Sequence, residues 1–251
     1  GTSALHLACM ALDIGEGDIA WTSANTFVAS ANCARYCGAE INFVDICPES
    51  WNLSIDDLEK KLINAKKYKK LPKVLIAVHF AGLPTDQERI HHLSIKYGFK
   101  IIEDASHSLG ASYNGEAVGS CKWSDITVFS FHPVKPITSG EGGMAVTNNS
   151  KLYRSMKRLR THGIEYDKEL FLNKKQSSWH YEQQQLGFNY RMTDIHAALG
   201  RSQLKRIKQY TRIRNDLAAR YFSLLKDLPL KLPKKYENKY SAYHLFVIIL
   251  D

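Results

Sequence analysis

Apolar positions along this chain follow two periods in alternation. Short, nearly continuous apolar runs read as strands: "DIAWTS", "INFVDI", "KVLIAVHF", "FKIIEDA", "DITVFSF" and "GMAVTN". Between them, "TFVASANCARYCG", "SIDDLEKKLINAKK" and "DQERIHHLSIKYG" carry apolar residues at helical spacing. Runs such as "VLIAVHF" have almost no polar alternation, as expected for strands covered on both faces. The pattern therefore predicts an α/β protein with a mostly parallel central sheet flanked by helices. From Thr193 the spacing predicts one long helix to Leu228, followed by a strand-like run, "YSAYHLFVIILD". The chain opens directly on a helical pattern and stops within that last run. It reads as a piece of a longer protein, with a large domain over residues 1–193 that lacks an N-terminal segment. Residues 194–251 read as a connecting helix and the truncated start of a smaller C-terminal domain.

Composition narrows the class. The 251 residues are 44% hydrophobic, enough for one large core. No apolar run reaches the roughly 18 residues needed to cross a bilayer. Nor does the first stretch resemble a secretory signal. The five cysteines are odd in number and scattered, and Cys33 and Cys37 lack a second ligand pair at metal-site spacing. Reduced core thiols, no metal and a cytoplasmic location are the expectation. The net charge of +9 gathers in "KKLINAKKYKKLPK" and "KLYRSMKRLR". Neither run is interleaved with stacking aromatics or accompanied by a nucleic-acid-binding motif, so solvated helix faces are preferred over a nucleic-acid surface. A basic surface also favours anionic ligands.

The chemistry is expected at strand C-termini and helix N-termini, where open α/β sheets collect ligands. "GTSALHLACMAL" opens a helix with Thr2 as candidate N-cap, leaving backbone N–H groups near Thr2 and Ser3 free for a phosphate. "KIIEDASHSLGA" puts Asp104 at the end of a buried strand with His107 just beyond. "VFSF" does the same for Ser130, and Lys135 follows between Pro133 and Pro136, which stiffen the chain around it. "GEGG" then allows close backbone approach, whereas "GEGD" at Gly15 reads as a turn. An aldehyde cofactor with a phosphate and a ring nitrogen uses all of these groups. The phosphate takes the helix N-terminus and Ser130, the ring nitrogen takes Asp104, and the aldehyde takes the Lys135 amine as a Schiff base. Pyridoxal 5'-phosphate is such a cofactor.

Five segments, in order, resemble the DegT/DnrJ/StrS sugar aminotransferases: "GTSALHLA", "TSANTFVASANCARYCGAEINFVDI", "EDASHSLGA", "FSFHPVKPITSGEGGMAVTN" and "GFNYRMTDIHAALG". The resemblance implies the type I fold of PLP-dependent transferases, with a small C-terminal α+β domain. It also implies pyridoxal phosphate as cofactor, L-glutamate as donor, a nucleotide-linked keto sugar as acceptor, and a homodimer with shared active sites. "SFHPVKPITSGEGG" and "GFNYRMTDIHAALGRSQL" look most like the branch that aminates C4 of UDP-2-acetamido-2,6-dideoxy-beta-L-arabino-hexos-4-ulose, for pseudaminic acid or related surface glycans. By position, the resemblance makes Lys135 the Schiff-base lysine and Asp104 the partner of the pyridine nitrogen. His107 falls beside the ring, Phe27 stacks on it, and Thr2, Ser3 and Ser130 bind the phosphate. Asn189 reaches the phosphate from the neighbouring subunit. His132 and Arg191 fall near the site without an assigned role. One branch of the family carries histidine in place of the lysine and performs dehydration, so Lys135 favours transamination. Two other readings are another nucleotide-sugar aminotransferase of this family and a non-catalytic regulatory protein that binds the cofactor or a sugar nucleotide.

Overall fold

The computed structural model describes residues 1–173 and 177–250. Its centre is a six-stranded sheet ordered β2-β1-β3-β4-β7-β8. These strands are β1 (Ile19–Ser23), β2 (Glu40–Val44), β3 (Val74–Val78), β4 (Lys100–Asp104), β7 (Ile126–Ser130) and β8 (Gly143–Val146). The first five pair in parallel and β8 runs antiparallel to β7. A short hairpin, β5 (Ser112–Tyr113) and β6 (Glu116–Ala117), turns through Asn114 and Gly115, both at positive φ.

Helices cover both faces. Ile76, Ile102 and Val128 point to the layer formed by α1 (Thr2–Ala11), α2 (Ala29–Arg35) and α5 (Ser150–Leu159). Leu75, Ala77 and Ile101 point the other way, to α3 (Ile55–Lys67) and α4 (Gln87–Tyr97). The inner strands β3, β4 and β7 thus bury odd and even positions alike, which explains their lack of polar alternation, whereas the edge strands β2 and β8 stay partly exposed. Ile102 has no exposed surface at the centre of the first layer. Ile102→Ala is expected to cost about 2–5 kcal/mol, read as a lower urea midpoint at unchanged slope.

The C-terminal part departs from the sequence expectation. The single helix from Thr193 is two helices, α6 (Asp194–Leu204) and α7 (Ile207–Leu225), broken at Lys205–Arg206. Close packing provides the reason. A Cβ on Gly110 would lie 2.5 Å from Thr211 Oγ1 and 3.1 Å from Ile207, so α7 is drawn tightly onto the loop after β4. Ile207 and Tyr210 also pack against the cluster containing Ala105, Phe129 and Ala242. The final run is not one strand. Among its described residues, β12 (Lys239–Tyr240), added to β5, and β13 (Ile249–Leu250), paired with β11 (Leu230–Lys231), are the paired strands. Between them Tyr243 takes a left-handed φ of 41°, which ends strand geometry. A further small pair, β9 (Ile164–Glu165) with β10 (Glu182–Gln183), follows α5.

Candidate active site

Strand register brings the distant motifs together. Asp104 pairs with Val78 on one side and Val128 on the other, and Ser130 pairs with Gly143. Asp104 shares its face of β4 with Ile102, so its carboxylate points toward the α1–α2 layer. Its neighbour Glu103 points the opposite way and is held by Gln87 Nε2 at 2.5 Å and Thr127 Oγ1 at 2.6 Å.

Asp104 is 5% exposed, and three donors compensate its burial. Ser30 Oγ donates to Oδ2 at 2.6 Å, while the Ser106 backbone N–H and hydroxyl donate to Oδ1 at 3.1 and 2.5 Å. Sequence reasoning missed both serines as site residues. Ser106 is legible as a hydroxyl two residues after an aspartate at a strand end. Ser30, although it lies in the quoted "NTFVAS", becomes a partner only through the packing of α2.

The N-terminus of α1 faces the same place. A Cβ on Gly1 would lie 3.0 Å from Ser130 Cβ, 3.1 Å from Ser130 Oγ and 3.6 Å from Ser106 Oγ. Gly1 is the N-cap and Thr2 the first helical residue, which corrects the expected Thr2 cap; the Leu5 N–H to Gly1 carbonyl bond of 3.0 Å closes the first turn. Thr2 and Ser3 are exposed in that turn, where backbone N–H groups have no intrahelical acceptor. Ser130 Oγ accepts from the His132 N–H at 3.4 Å, which leaves its hydroxyl proton to donate. These groups form a cradle suited to a phosphate. Gly143 keeps the cradle tight: a Cβ there would sit 2.7 Å from Gly1 N and 2.8 Å from the Phe129 carbonyl.

Lys135 is carried on a loop that closes upon itself. Phe131 N–H donates to Gly142 O, Ser139 N–H to Phe131 O, and Lys135 N–H to His132 O, each at 3.0 Å. The side chain is half-buried, and burial pulls its amine below the usual lysine range while Asp104 pulls the other way. His107 lies within the same electrostatic group. Burial, reinforced by Lys135 and opposed by Asp104, lowers it to about 4. His244, absent from the sequence reading, is lowered to about 3 by burial, with His107, Lys135 and Arg214 adding to the effect.

These two imidazoles make stability pH-dependent. Their ordinary value is 6.5, so below pH 6.5 the unfolded chain binds more protons than the folded one. Their contribution is intact above pH 6.5 and is lost progressively as pH falls toward about 4 and then about 3. Urea midpoints at pH 7 and pH 5 are expected to differ less for His107→Gln than for the parent protein.

The other sequence candidates fall around this cluster. Phe27 is 69% exposed in the loop between β1 and α2, tied to it through the Ser30 N–H to Phe27 carbonyl bond. Asn189 is exposed, and its backbone bridges to Thr161. The flanking Phe188 and Tyr190 stack with ring centroids 5.0 Å apart and pack on His6 of α1. His132 is exposed, with Nε2 3.8 Å from Glu141, and Arg191 is exposed. Lys135, Asp104, His107, Ser130 and the α1 N-terminus therefore converge within one chain, whereas Asn189 lies on an outer face. Among the described residues no group of three or more His, Cys, Asp or Glu is placed to hold a metal ion.

The profile of the DegT/DnrJ/EryC1/StrS aminotransferase family matches residues 1–251. The chain belongs to this family. It is 39% identical over 250 residues to the UDP-4-amino-4,6-dideoxy-N-acetyl-beta-L-altrosamine transaminase of Campylobacter jejuni, covering 99% of this chain and 62% of that protein. Helicobacter pylori PseC, an aminotransferase involved in the biosynthesis of pseudoaminic acid, superposes with a TM-score of 0.86 at 30% identity, covering 100% of this chain and 64% of that one. A Streptococcus pneumoniae protein solved in its PLP-form superposes at 0.82 and 28% identity, covering 98% and 64%. The chain thus spans less than two thirds of the length of these relatives. The family's central sheet and flanking helices, the PLP-dependent type I arrangement, are those described above.

Proposed function

We propose that this chain is the cofactor-binding part of a pyridoxal-phosphate-dependent nucleotide-sugar aminotransferase. It moves an amino group from L-glutamate to the C4 ketone of a UDP-linked 6-deoxy amino sugar, for pseudaminic acid or a related surface glycan. The observation that carries this reading is the meeting of a half-buried lysine, a buried carboxylate and a phosphate cradle at the carboxyl ends of β4 and β7. That donor set fits the cofactor: a carboxylate for a protonated ring nitrogen, N–H and hydroxyl donors for a phosphate, and an amine close enough to Asp104 to feel its charge. The named activities of the relatives support transamination and the sugar acceptor.

When bound, pyridoxal phosphate supplies an electron sink that allows a C–H bond beside nitrogen to be broken and remade. The chain's residues do the rest. Asp104, fixed by Ser30 and Ser106, holds a proton on the pyridine nitrogen. The N–H groups and side chains of Thr2 and Ser3, with the Ser130 hydroxyl, hold the phosphate. Phe27 would stack on the ring, and His107 would lie beside it. Lys135 Nζ, whose basicity is lowered by burial against the pull of Asp104, would take the proton from the glutamate Cα. It later delivers a proton to the sugar C4, after the amino group has left glutamate and 2-oxoglutarate has departed.

Asn189 completes the phosphate site from a second copy of the chain, which makes the active enzyme a homodimer. Its exposed position on an outer face supports that role. Residues 1–193 form the cofactor domain, and 194–251 the connection to, and beginning of, a smaller domain. Among the described residues no helix is long and apolar enough to cross a membrane. That absence is compatible with the cytoplasmic location proposed here, which the five free cysteines support.

The test is an absorption spectrum of the full-length protein. Added pyridoxal phosphate is expected to give the band of lysine-bound cofactor, L-glutamate to convert it to the amino form, and a UDP-linked 4-keto sugar to restore it. A band that ignores glutamate would replace this reading with the binding-only one. Restoration by a GDP-linked but not a UDP-linked sugar would reassign the acceptor.

A further inference from the structure

The C-terminal segment returns to the site and lays one imidazole against another. The His244 and His107 rings lie 4.3 Å apart between centroids at 41°, with Phe80 beside His107 at 6.3 Å. His107 Nδ1 accepts from the Ala81 N–H at 3.3 Å. A backbone amide only donates, so the proton of neutral His107 resides on Nε2.

The segment bearing His244 is clamped from both sides. Ala242 N–H donates to Gly82 O at 3.0 Å and Leu245 N–H to Ala81 O at 3.2 Å. From α7, Arg214 Nη1 donates to the Tyr243 and His244 carbonyls at 3.2 and 3.4 Å, and Asn215 Nδ2 to the Ser241 carbonyl at 3.0 Å. Gly82, at φ +99°, lets these pieces meet. A Cβ there would lie 2.9 Å from the backbone nitrogens of Tyr243 and His244 and 3.0 Å from the His107 carbonyl. His244 Nδ1 is buried without a hydrogen-bond partner, so its ring is held by packing rather than by a polar contact at that nitrogen.

We propose that His244 is a positioning residue. Its ring, delivered by the α7-anchored segment, holds His107 in the plane in which Nδ1 accepts from the Ala81 N–H, and thereby in the tautomer with which it faces the cofactor. The reading of what His107 faces rests on the function proposed above; the packing of the two rings does not. Both rings are held neutral near pH 7, so the tilted ring pair carries no charge repulsion. The consequence is that the start of the second domain sets the geometry of a residue in the first.

The experiment is 15N NMR of the histidine rings in the full-length protein without cofactor. The parent protein is expected to show His107 as the single Nε2–H tautomer. His244→Ala is expected to give an averaged pair of tautomers and, with cofactor added, about three- to tenfold weaker cofactor binding. His244→Phe, which keeps a flat ring, is expected to restore both. A fixed tautomer and parental affinity in His244→Ala overturn the proposal, as does a His244→Phe protein that behaves like the alanine variant. Should His244→Ala fail to fold, Arg214→Gln, which frees the same carbonyls, is read in the same way. A tautomer change in a protein that binds no pyridoxal phosphate upholds the positioning role and overturns the cofactor reading.

Discussion

Lys135→Ala is expected to abolish both half-reactions, with at least about a 10²–10⁴-fold loss from the missing proton transfer alone. The fold is expected to survive. The bonds that close the Lys135 loop run largely through backbone groups of Phe131, His132, Ser139 and Gly142, and do not involve Nζ. Its unfolding free energy should therefore stay within about 0.5 kcal/mol of the parent, as for substitutions that remove no buried hydrogen bond. Lys135→Arg is expected to be equally inactive, because a guanidinium keeps the cation but does not release its proton near neutral pH. Single-turnover absorption with L-glutamate measures both variants. An arginine variant that still gives the lysine-bound cofactor band would remove Lys135 from the proposed mechanism.

Asp104→Asn should act on chemistry and stability together. The neutral amide no longer favours a proton on the pyridine nitrogen, and loss of that electrostatic support is expected to slow the glutamate half-reaction by about 10²–10³-fold. It also places an NH₂ group where Ser30 or Ser106 now donates to a carboxylate oxygen. With the site buried, the mismatched donors are expected to cost about 1–3 kcal/mol. The Ser30→Ala variant separates the two effects. It removes one donor, keeps the charge, and should lower stability by a similar amount with a far smaller loss in rate. Equal single-turnover rates for Asp104→Asn and the parent would sink the pyridine-nitrogen assignment.

Much of the central α/β layer structure was legible in the chain. The six main strands coincide with the apolar runs, and β1, β3, β4 and β7, which lie inside the sheet, are buried on both faces and therefore carry little polar alternation. The placement of Asp104 and Ser130 at strand ends, and of Lys135 just beyond β7, was legible because each stands at the carboxyl end of an apolar run. The left-handed φ of Gly17 and the Asp18 N–H to Gly15 carbonyl bond of 3.1 Å agree with the turn read from "GEGD". The break between α6 and α7 left no such sign. Leu204, Lys205 and Arg206 all favour helix, and no glycine or proline marks the boundary. The aromatic and β-branched content of "YSAYHLFVIIL" pointed to a strand, yet the clamp from Arg214 and Asn215 bends it at Tyr243.

The sequence by itself determined the alternation of strands and helices, which strands are fully buried, and which side chains stand at their carboxyl ends. Those features depend on neighbours a few residues apart, and local burial and backbone preference decide them. Tertiary structure decided what meets what. Strand order set Asp104 between Val78 and Val128. Helix packing supplied Ser30 and the α1 N-terminus, and the returning C-terminal segment supplied His244 against His107. Such contacts join residues far apart in the chain. They are selected by the packing of whole layers, which no local pattern encodes.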